Sequence, residues 1–240
     1  MQDLLRQTIC PVSPVHRCPY LPDRWAREEM FVVRVMDPED YHRLMDLGWR
    51  RSGCLIYRPR CPGCRECVPI RVPVATFRRT RSQRRVWRRN QDVVARIDRP
   101  CLTEEKWSLY RRYLRHRHDG TMGEDYDDLA NFLYRSPVRT LEVTYRVGER
   151  LGGVGIIDVS SRAVSTVYFY FDPDLSRRSL GVFSVLWEIE WCRARGMSHY
   201  YLGFYVRGAR SMSYKADYRP HELLGADGRW RPGGRANPCP

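Results

Sequence analysis

Apolar positions in the second half of the chain recur with two different periods. Residues 139–147, 150–160 and 163–171, in the last of which the side chains alternate over 166–171, are predicted to form three strands joined by short polar turns. Residues 172–196 instead carry apolar side chains at helical spacing, and Gly196 ends the pattern. A further strand is predicted over 197–206. This order of a strand meander, a helix and a strand indicates an α+β fold.

The first half of the chain has well-marked helix boundaries. Asp37 is a natural N-cap, Pro38 suits the first helical position, and Gly48 suits the residue after the helix. Strands are predicted over 49–59 and 68–77, and helices over 103–118 and 125–135. Since the composition shifts at Arg99–Pro100, we divide the chain into an N-terminal domain over 1–99 and a second domain over 100–228. The Pro/Gly-rich residues 229–240 are predicted to be disordered.

Positive charge is concentrated in one part of the chain. The net charge is +14, and residues 50–99 contain fifteen arginines against three acidic residues. A polyanionic partner is the function class that such an excess favours, although a solvated helix face explains a charge run equally simply. The arginines that would share or flank one helix face are Arg78, Arg81, Arg84, Arg85 and Arg88.

Cysteines form the most conspicuous local motif. Cys61, Cys64 and Cys67 fall within seven residues, whereas a tetrahedral metal site needs four ligands. The chain has no apolar run of membrane-spanning length and no secretory signal at its start, so we expect a cytoplasmic protein with reduced thiols. Metal binding, catalysis and packing all remain open for these thiols.

Three other features suggest a catalytic cleft. Arg178-x-x-Gly181 precedes a predicted helix and is similar to the phosphate loop of the acetyltransferase-like (GNAT) fold, although Phe183 departs from that pattern. The tyrosine-rich strands could stack a nucleobase or simply pack a core. Lys215 is one of two lysines among 42 basic residues, which indicates either a specific need for a point charge or a chance surface position.

Seven segments together resemble the arginyl-tRNA–protein transferase family, in its bacterial leucyl-transferring branch. They are CPYLPDR (18–24), GWRRSG (48–53), YRPRCPGCRECVPIRV (57–72), RSQRRVWRRNQD (81–92), YFYFDPDLSRRSLG (168–181), YYLGFYV (200–206) and MSYKADYRP (212–220). The resemblance implies a small cysteine-containing N-terminal α+β domain followed by a GNAT-like domain. It also implies a monomeric cytoplasmic enzyme that moves leucine from leucyl-tRNA to proteins beginning with Asp or Glu. Such proteins are thereby marked for degradation by the N-end rule pathway.

The resemblance also leads to expected residue roles. The arginine face (Arg78, Arg81, Arg84, Arg85, Arg88) would bind tRNA. The catalytic residues would be Tyr168, Tyr170, Asp172, Tyr214 and Lys215. The substrate-binding residues would be Arg50, Arg51, Ser52, Arg178, Gly181 and Tyr201, with the first three gripping the acidic N-terminus. No cofactor is expected for transfer, and Cys18, Cys61, Cys64 and Cys67 would hold an iron–sulfur cluster or zinc, or remain reduced structural thiols.

The chemistry suits a chain without a recognisable catalytic triad. The donor is an activated ester, and the attacking α-amine has a pKa of about 8, so positioning matters more than a strong base. The alternatives are arginyl transfer within the same family, an acyl-CoA-dependent acetyltransferase, and a non-enzymatic zinc or iron–sulfur RNA-binding protein.

Overall fold

The first described elements form two small sheets and a helix. The computed structural model describes residues 10–117 and 124–234. Strands β1 (His16–Arg17) and β2 (Trp25–Ala26) form a hairpin. Strands β3 (Glu28–Val32), β4 (Arg50–Ser52) and β5 (Leu55–Pro59) form an antiparallel sheet in the order β3-β5-β4. Helix α1 (Pro38–Asp46) is capped by the Asp37 carboxylate, which accepts the Glu39 amide, as the sequence predicts.

An eight-stranded sheet forms the body of the molecule. Its strands, in chain order, are β6 (Val68–Pro73), β7 (Val93–Asp98), β8 (Thr140–Val147), β9 (Arg150–Val159), β10 (Ala163–Phe171), β11 (His199–Tyr205), β12 (Glu222–Leu224) and β13 (Trp230–Pro232). Their order across the sheet is β13-β12-β6-β11-β10-β9-β8-β7. Among these eight described strands, only β10 and β11 pair in parallel, and the predicted meander is β8-β9-β10.

Helices cover both faces of this sheet. Helices α2 (Arg81–Arg89) and α5 (Leu180–Ala194) pack together on one face, where the Trp87 and Phe183 rings lie 5.5 Å apart. Helix α3 (Glu104–Arg117) and the short α4 (Tyr126–Leu129), which a π-helical turn extends to Tyr134, pack on the other. Because strand side chains alternate, neighbouring Ile156 and Ile157 belong to different cores. The remaining helical turns are α6 (Arg210–Ser213) and two 3₁₀ segments, Pro173–Arg178 and Tyr214–Asp217. Within 10–117 and 124–234, no helix is long and apolar enough to cross a membrane.

The parallel pair β10–β11 opens into a wedge. The two strands pair only from Ala163 to Ser165 on β10, and from His199 to Tyr201 on β11. Beyond that point each strand follows its outer neighbour, and each carries a register shift at the same level. Bulges increase local twist and redirect strands. The two strands therefore separate and leave an opening within the sheet.

Two predictions of domain organisation meet a different arrangement. Strands β6 and β7 precede residue 100 yet pair with β11 and β8, so the sheet crosses the predicted boundary. The predicted disorder of the tail is wrong for Trp230–Pro232, which form β13 on the sheet edge. The Trp230 indole N–H donates to the Asp46 carbonyl (3.1 Å), which ties the segment to α1. Residues 235–240 of the predicted tail lie outside the described residues.

Candidate active site

Arg50 lies at the point where β10 and β11 separate. It extends from β4, and its guanidinium donates to the Ser165 hydroxyl and to the Thr166 carbonyl on β10. These acceptors sit on the last paired residue of β10 and the one after it. The side chain is buried, with 9% of the residue exposed. Strand β4 of the three-stranded sheet therefore places a positive charge in the wedge between β10 and β11 of the large sheet.

Lys215 approaches the same wedge from the other strand. The 3₁₀ segment Tyr214–Asp217 places its ammonium 3.0 Å from the Phe204 carbonyl and 3.4 Å from the Met212 sulfur. Gly203 has a positive φ of 89°, and a Cβ built there would lie 3.5 Å from both Lys215 Nζ and Arg50 Nη2. The two cations therefore converge on one patch of β11 that glycine leaves open.

In the described part of the chain, no nearby carboxylate balances the charge of this cation pair. Among the described residues, no carboxylate lies within 4 Å of the charged nitrogens of Arg50 or Lys215. Burial, and then the nearby positive charge of Arg50, lower the pKa of Lys215 to about 7. Buried charges normally have a partner of opposite charge. Two buried cations without such a partner, at the opening between β10 and β11, are therefore suited to bind an anion.

A pocket adjoins the cation pair. It has a volume of about 280 Å³ and lies between the cysteine-containing loop, β3–β5 and Phe204. Ser52, two residues after Arg50, contributes to its wall. Of the predicted metal ligands, Cys18, Cys61 and Cys67 line it.

The four predicted metal-binding cysteines lie near one another, but their side chains do not form a metal-binding site. Burial, and then the neighbouring Cys61, Cys18 and Cys64, raise the pKa of Cys67 to about 12. Within the described part of the chain, no group of three or more Cys, His, Asp or Glu side chains is placed to hold a metal ion. The arrangement therefore does not fit the predicted cluster or zinc, and metal binding by these thiols stays a prediction.

Arg51 is not available to a substrate. Its guanidinium makes a bidentate ion pair with Asp158, at 2.7 and 2.9 Å, and both side chains are fully buried. Tyr41 and Thr140 also donate to this carboxylate. The prediction that Arg51 grips the acidic N-terminus is wrong, because adjacent strand residues point to opposite faces and only Arg50 faces the wedge.

Tyr201 is likewise engaged inside the protein. Its hydroxyl donates to Asp46 and accepts from Arg71 (3.1 Å), and 2% of the residue is exposed. Arg71 also pairs with Glu222 and stacks over Trp230. The expected substrate contact is replaced by a partly buried network that joins α1, β6, β11 and β13.

The strand tyrosines and Asp172 occupy the α3 side of the sheet. Tyr170 is fully buried with its hydroxyl 3.0 Å from that of Tyr134, and Tyr168 packs in the same aromatic cluster. Asp172 caps the Pro173–Arg178 turn and pairs with Arg112 (2.7 Å) and Arg150 (2.6 Å). The predicted cleft role is wrong for the buried Tyr170, and the Asp172 oxygens are already committed to structural partners.

The predicted phosphate loop is present in outline only. Helix α5 begins at Leu180, immediately before Gly181, after Ser179 in the left-handed conformation. Arg178 pairs with Asp92 at 2.8 and 2.9 Å, and its carbonyl accepts the Asn90 amide. Arg178 therefore fastens the loop to the end of α2, while Gly181 retains its predicted place at a helix N-terminus.

Four arginines of the predicted face lie on α2, whereas Arg78 precedes the N-cap Thr80, so the helix does not extend back to Arg78 as predicted. Arg78, Arg81, Arg84, Arg85 and Arg88 are all exposed. Thr80 and Gln83 form a capping box at the start of the helix, and the Gln83 amide also donates to the Asp217 carbonyl (3.2 Å). Asp217 belongs to the same 3₁₀ segment as Lys215 and the exposed Tyr214. Sequence reasoning missed Gln83, which links the basic helix to the wedge.

The fold is of the expected GNAT-like α+β type, a mixed sheet with helices on both faces. A similar solved structure is the C-terminal domain of a protein described as a lysylphosphatidylglycerol synthetase from Agrobacterium fabrum, with a TM-score of 0.50 at 14% identity. The match covers 80% of this chain and 62% of that one. At this identity the likeness concerns the fold alone.

The family follows from sequence. Models of the arginine-tRNA-protein transferase N terminus and C terminus match residues 16–85 and 105–225. The chain is 39% identical to an aspartate/glutamate leucyltransferase of Hahella chejuensis, over 93% of this chain and 97% of that protein. It is 40% identical to one of Stenotrophomonas maltophilia, over 89% and 88%. The chain belongs to the arginine-tRNA-protein transferase family.

Proposed function

We propose that this protein transfers leucine from leucyl-tRNA to the α-amine of proteins that begin with Asp or Glu. The names of its relatives support this assignment. The observation that carries it is the unpaired cation pair, Arg50 and Lys215, at the opening between β10 and β11. An acidic first residue brings the carboxylate that this pair lacks.

The reaction needs positioning more than a covalent intermediate. The neutral α-amine attacks the ester carbonyl of the aminoacyl-tRNA, and a C–N bond forms as the C–O bond to the terminal ribose breaks. The amine loses a proton, and the leaving ribose oxygen takes one up. Because the ester is activated, holding the two reactants together supplies much of the rate enhancement.

Arg50 and Lys215 position the acceptor. The Arg50 guanidinium is always charged, whereas Lys215, with its pKa lowered to about 7, is only partly charged near neutrality. A carboxylate between them favours the charged form of the lysine and raises its pKa. Acceptor binding therefore completes a charge balance that the free protein does not have.

The α2 arginines hold the tRNA. The face is exposed, and the Gln83–Asp217 contact links it to the segment that carries Lys215. Phosphate contacts of this kind bind a tRNA without reading the amino acid it carries. Aminoacyl-tRNA is a cytoplasmic substrate, so we place the reaction, and the N-end rule degradation that follows it, in the cytoplasm.

Purified full-length protein tests the proposal directly. It is given labelled leucyl-tRNA or arginyl-tRNA together with peptides that begin with Asp, Glu, Asn, Lys or Arg. We expect leucine to appear on the Asp and Glu peptides only. Transfer of arginine instead would establish the alternative donor, and no transfer from either tRNA would refute the proposal.

A further inference from the structure

We infer that the pocket beside the cation pair holds the leucyl side chain of the donor and sets which aminoacyl-tRNA is used. The inference rests on the proposed function and adds the residues that select the donor. The pocket walls used below are Met30, Leu55, Tyr57, Cys67 and Phe204.

The pocket and the cation pair share their walls. The Phe204 residue lines the pocket, and its carbonyl accepts the Lys215 ammonium at 3.0 Å. Cys67, another wall residue, also lies near Lys215. Tyr57, on β5, packs against the Phe204 ring with centroids 6.3 Å apart. A reactive carbonyl near the cation pair can therefore direct its own side chain into this pocket.

The lining suits a neutral aliphatic group. Met30, Leu55 and Phe204 are apolar, and a cysteine side chain such as Cys67 behaves as a small, weakly polar group. The one carboxylate in the wall, Glu28, accepts the Ser13 hydroxyl at 2.9 Å and lies 3.6 Å from His16. It repels an acidic side chain, so the acceptor residue belongs at the cations and the leucyl group in the pocket.

The size is also appropriate. A volume of about 280 Å³ lies just below the range of roughly 300 to 1,000 Å³ that drug-sized ligands occupy. A leucyl side chain is smaller than a drug-sized ligand, so it fits within this volume.

Changes at Leu55 in opposite directions test the assignment. Leu55→Phe narrows the pocket and Leu55→Ala enlarges it, whereas Val94→Phe on the exposed edge strand β7 is a matched control. The donors are one tRNA charged with leucine, valine or phenylalanine, and the acceptor is an Asp peptide. We expect Leu55→Phe to lower the ratio of kcat/KM for leucyl-tRNA to that for valyl-tRNA about tenfold. We expect Leu55→Ala to raise the ratio of kcat/KM for phenylalanyl-tRNA to that for leucyl-tRNA by a similar factor.

The outcomes separate this inference from the proposed function. Opposite shifts in donor preference, with unchanged Asp-to-Glu acceptor preference, support the leucyl pocket. Unchanged donor ratios in both variants overturn it, while wild-type leucine transfer leaves the proposed function standing. A shift in the Asp-to-Glu ratio alone would place the acceptor in the pocket and would likewise overturn the inference. Opposite effects of two substitutions at one position cannot both come from loss of folding.

Discussion

Arg50 and Arg51 are adjacent in sequence but belong to two different regions of the molecule. Arg51 points into the interior, where Asp158 balances its charge with two hydrogen bonds. Arg50 points into the β10–β11 wedge, where its partners are a hydroxyl and a carbonyl and the nearby charge is the like-signed Lys215. A buried charge with a partner stabilises structure, whereas one without a partner marks a place for a ligand.

Removing the balanced arginine has the largest expected effect on stability. Arg51→Met leaves the Asp158 carboxylate buried without its ion pair, which costs about 3–5 kcal/mol of unfolding free energy. Arg50→Met should cost much less, because losing two hydrogen bonds is offset by removing an uncompensated buried charge. Urea unfolding of the two variants measures the difference. Equal destabilisation would abolish the distinction between the two regions.

Glu188 is a buried acidic residue without an ion-pair partner among the described residues, and unlike Arg50 it does not lie at the wedge. Its titration shows how much such a charge costs in free energy of unfolding. It is buried on α5, accepts the Tyr145 and Tyr200 hydroxyls, and has its pKa raised by burial from 4.5 to about 7. Because the pKa is higher in the folded state, the protonated carboxyl contributes about 3 kcal/mol to the free energy of unfolding below pH 4.5. This contribution is lost as the pH rises through about 7.

Glu188→Gln removes this titration. We expect the variant to show a flatter dependence of unfolding free energy on pH between 4.5 and 7 than the wild type, measured by urea titration at each pH. Parallel curves for the two proteins would show that Glu188 ionises normally in the folded state.

The pH dependence of acceptor binding sharpens the comparison at Lys215. Because its pKa is lowered to about 7 and a bound carboxylate raises it again, affinity for an Asp peptide should fall above pH 7, by up to about tenfold per unit. Calorimetric titration without tRNA measures this. Lys215→Arg is the control, because arginine stays charged over this pH range. Any pH dependence that remains in this variant comes from the peptide amine and can be subtracted. The same pH slope in both proteins would contradict a carboxylate contact at Lys215.

The smallest effects are expected on α2. Arg81→Ala, Arg85→Ala and Arg88→Ala should each weaken tRNA binding and reduce the slope of log Kd against log salt concentration by about 1. Arg162→Ala, an exposed arginine paired with Glu39, is the control. An unchanged slope in all three α2 variants would remove this helix from the tRNA-binding surface.

Local signals in the sequence account for much of the fold. The Asp37 cap, the strand meander β8–β10 and the helical spacing of α5 are properties of short segments, and the structure confirms them. Pairing partners far apart in the chain are not local. For that reason the joining of β6 to β11 and the pairing of Trp230–Pro232 with β12 could not be read from composition.

The candidate site follows the same division. Lys215 was identified by its rarity and Arg50 by its motif, but Arg51 shares that motif and differs only in the face it occupies. Tyr170 and Asp172 carry chemically useful groups whose partners, Tyr134, Arg112 and Arg150, come from other elements. Residue type suggests what a side chain can do, while tertiary contacts decide whether it is free to do it.

Discrimination between Asp and Asn at the acceptor N-terminus tests the central claim most directly. The two residues have the same shape and differ in charge, so the ratio of their kcat/KM values reports the contact with Arg50 and Lys215. We predict that Arg50→Gln and Lys215→Met each lower this ratio by roughly 10- to 100-fold, the value of a hydrogen bond to a charged group, while KM for leucyl-tRNA is unchanged. An unchanged ratio in both variants would show that the acidic residue is recognised elsewhere.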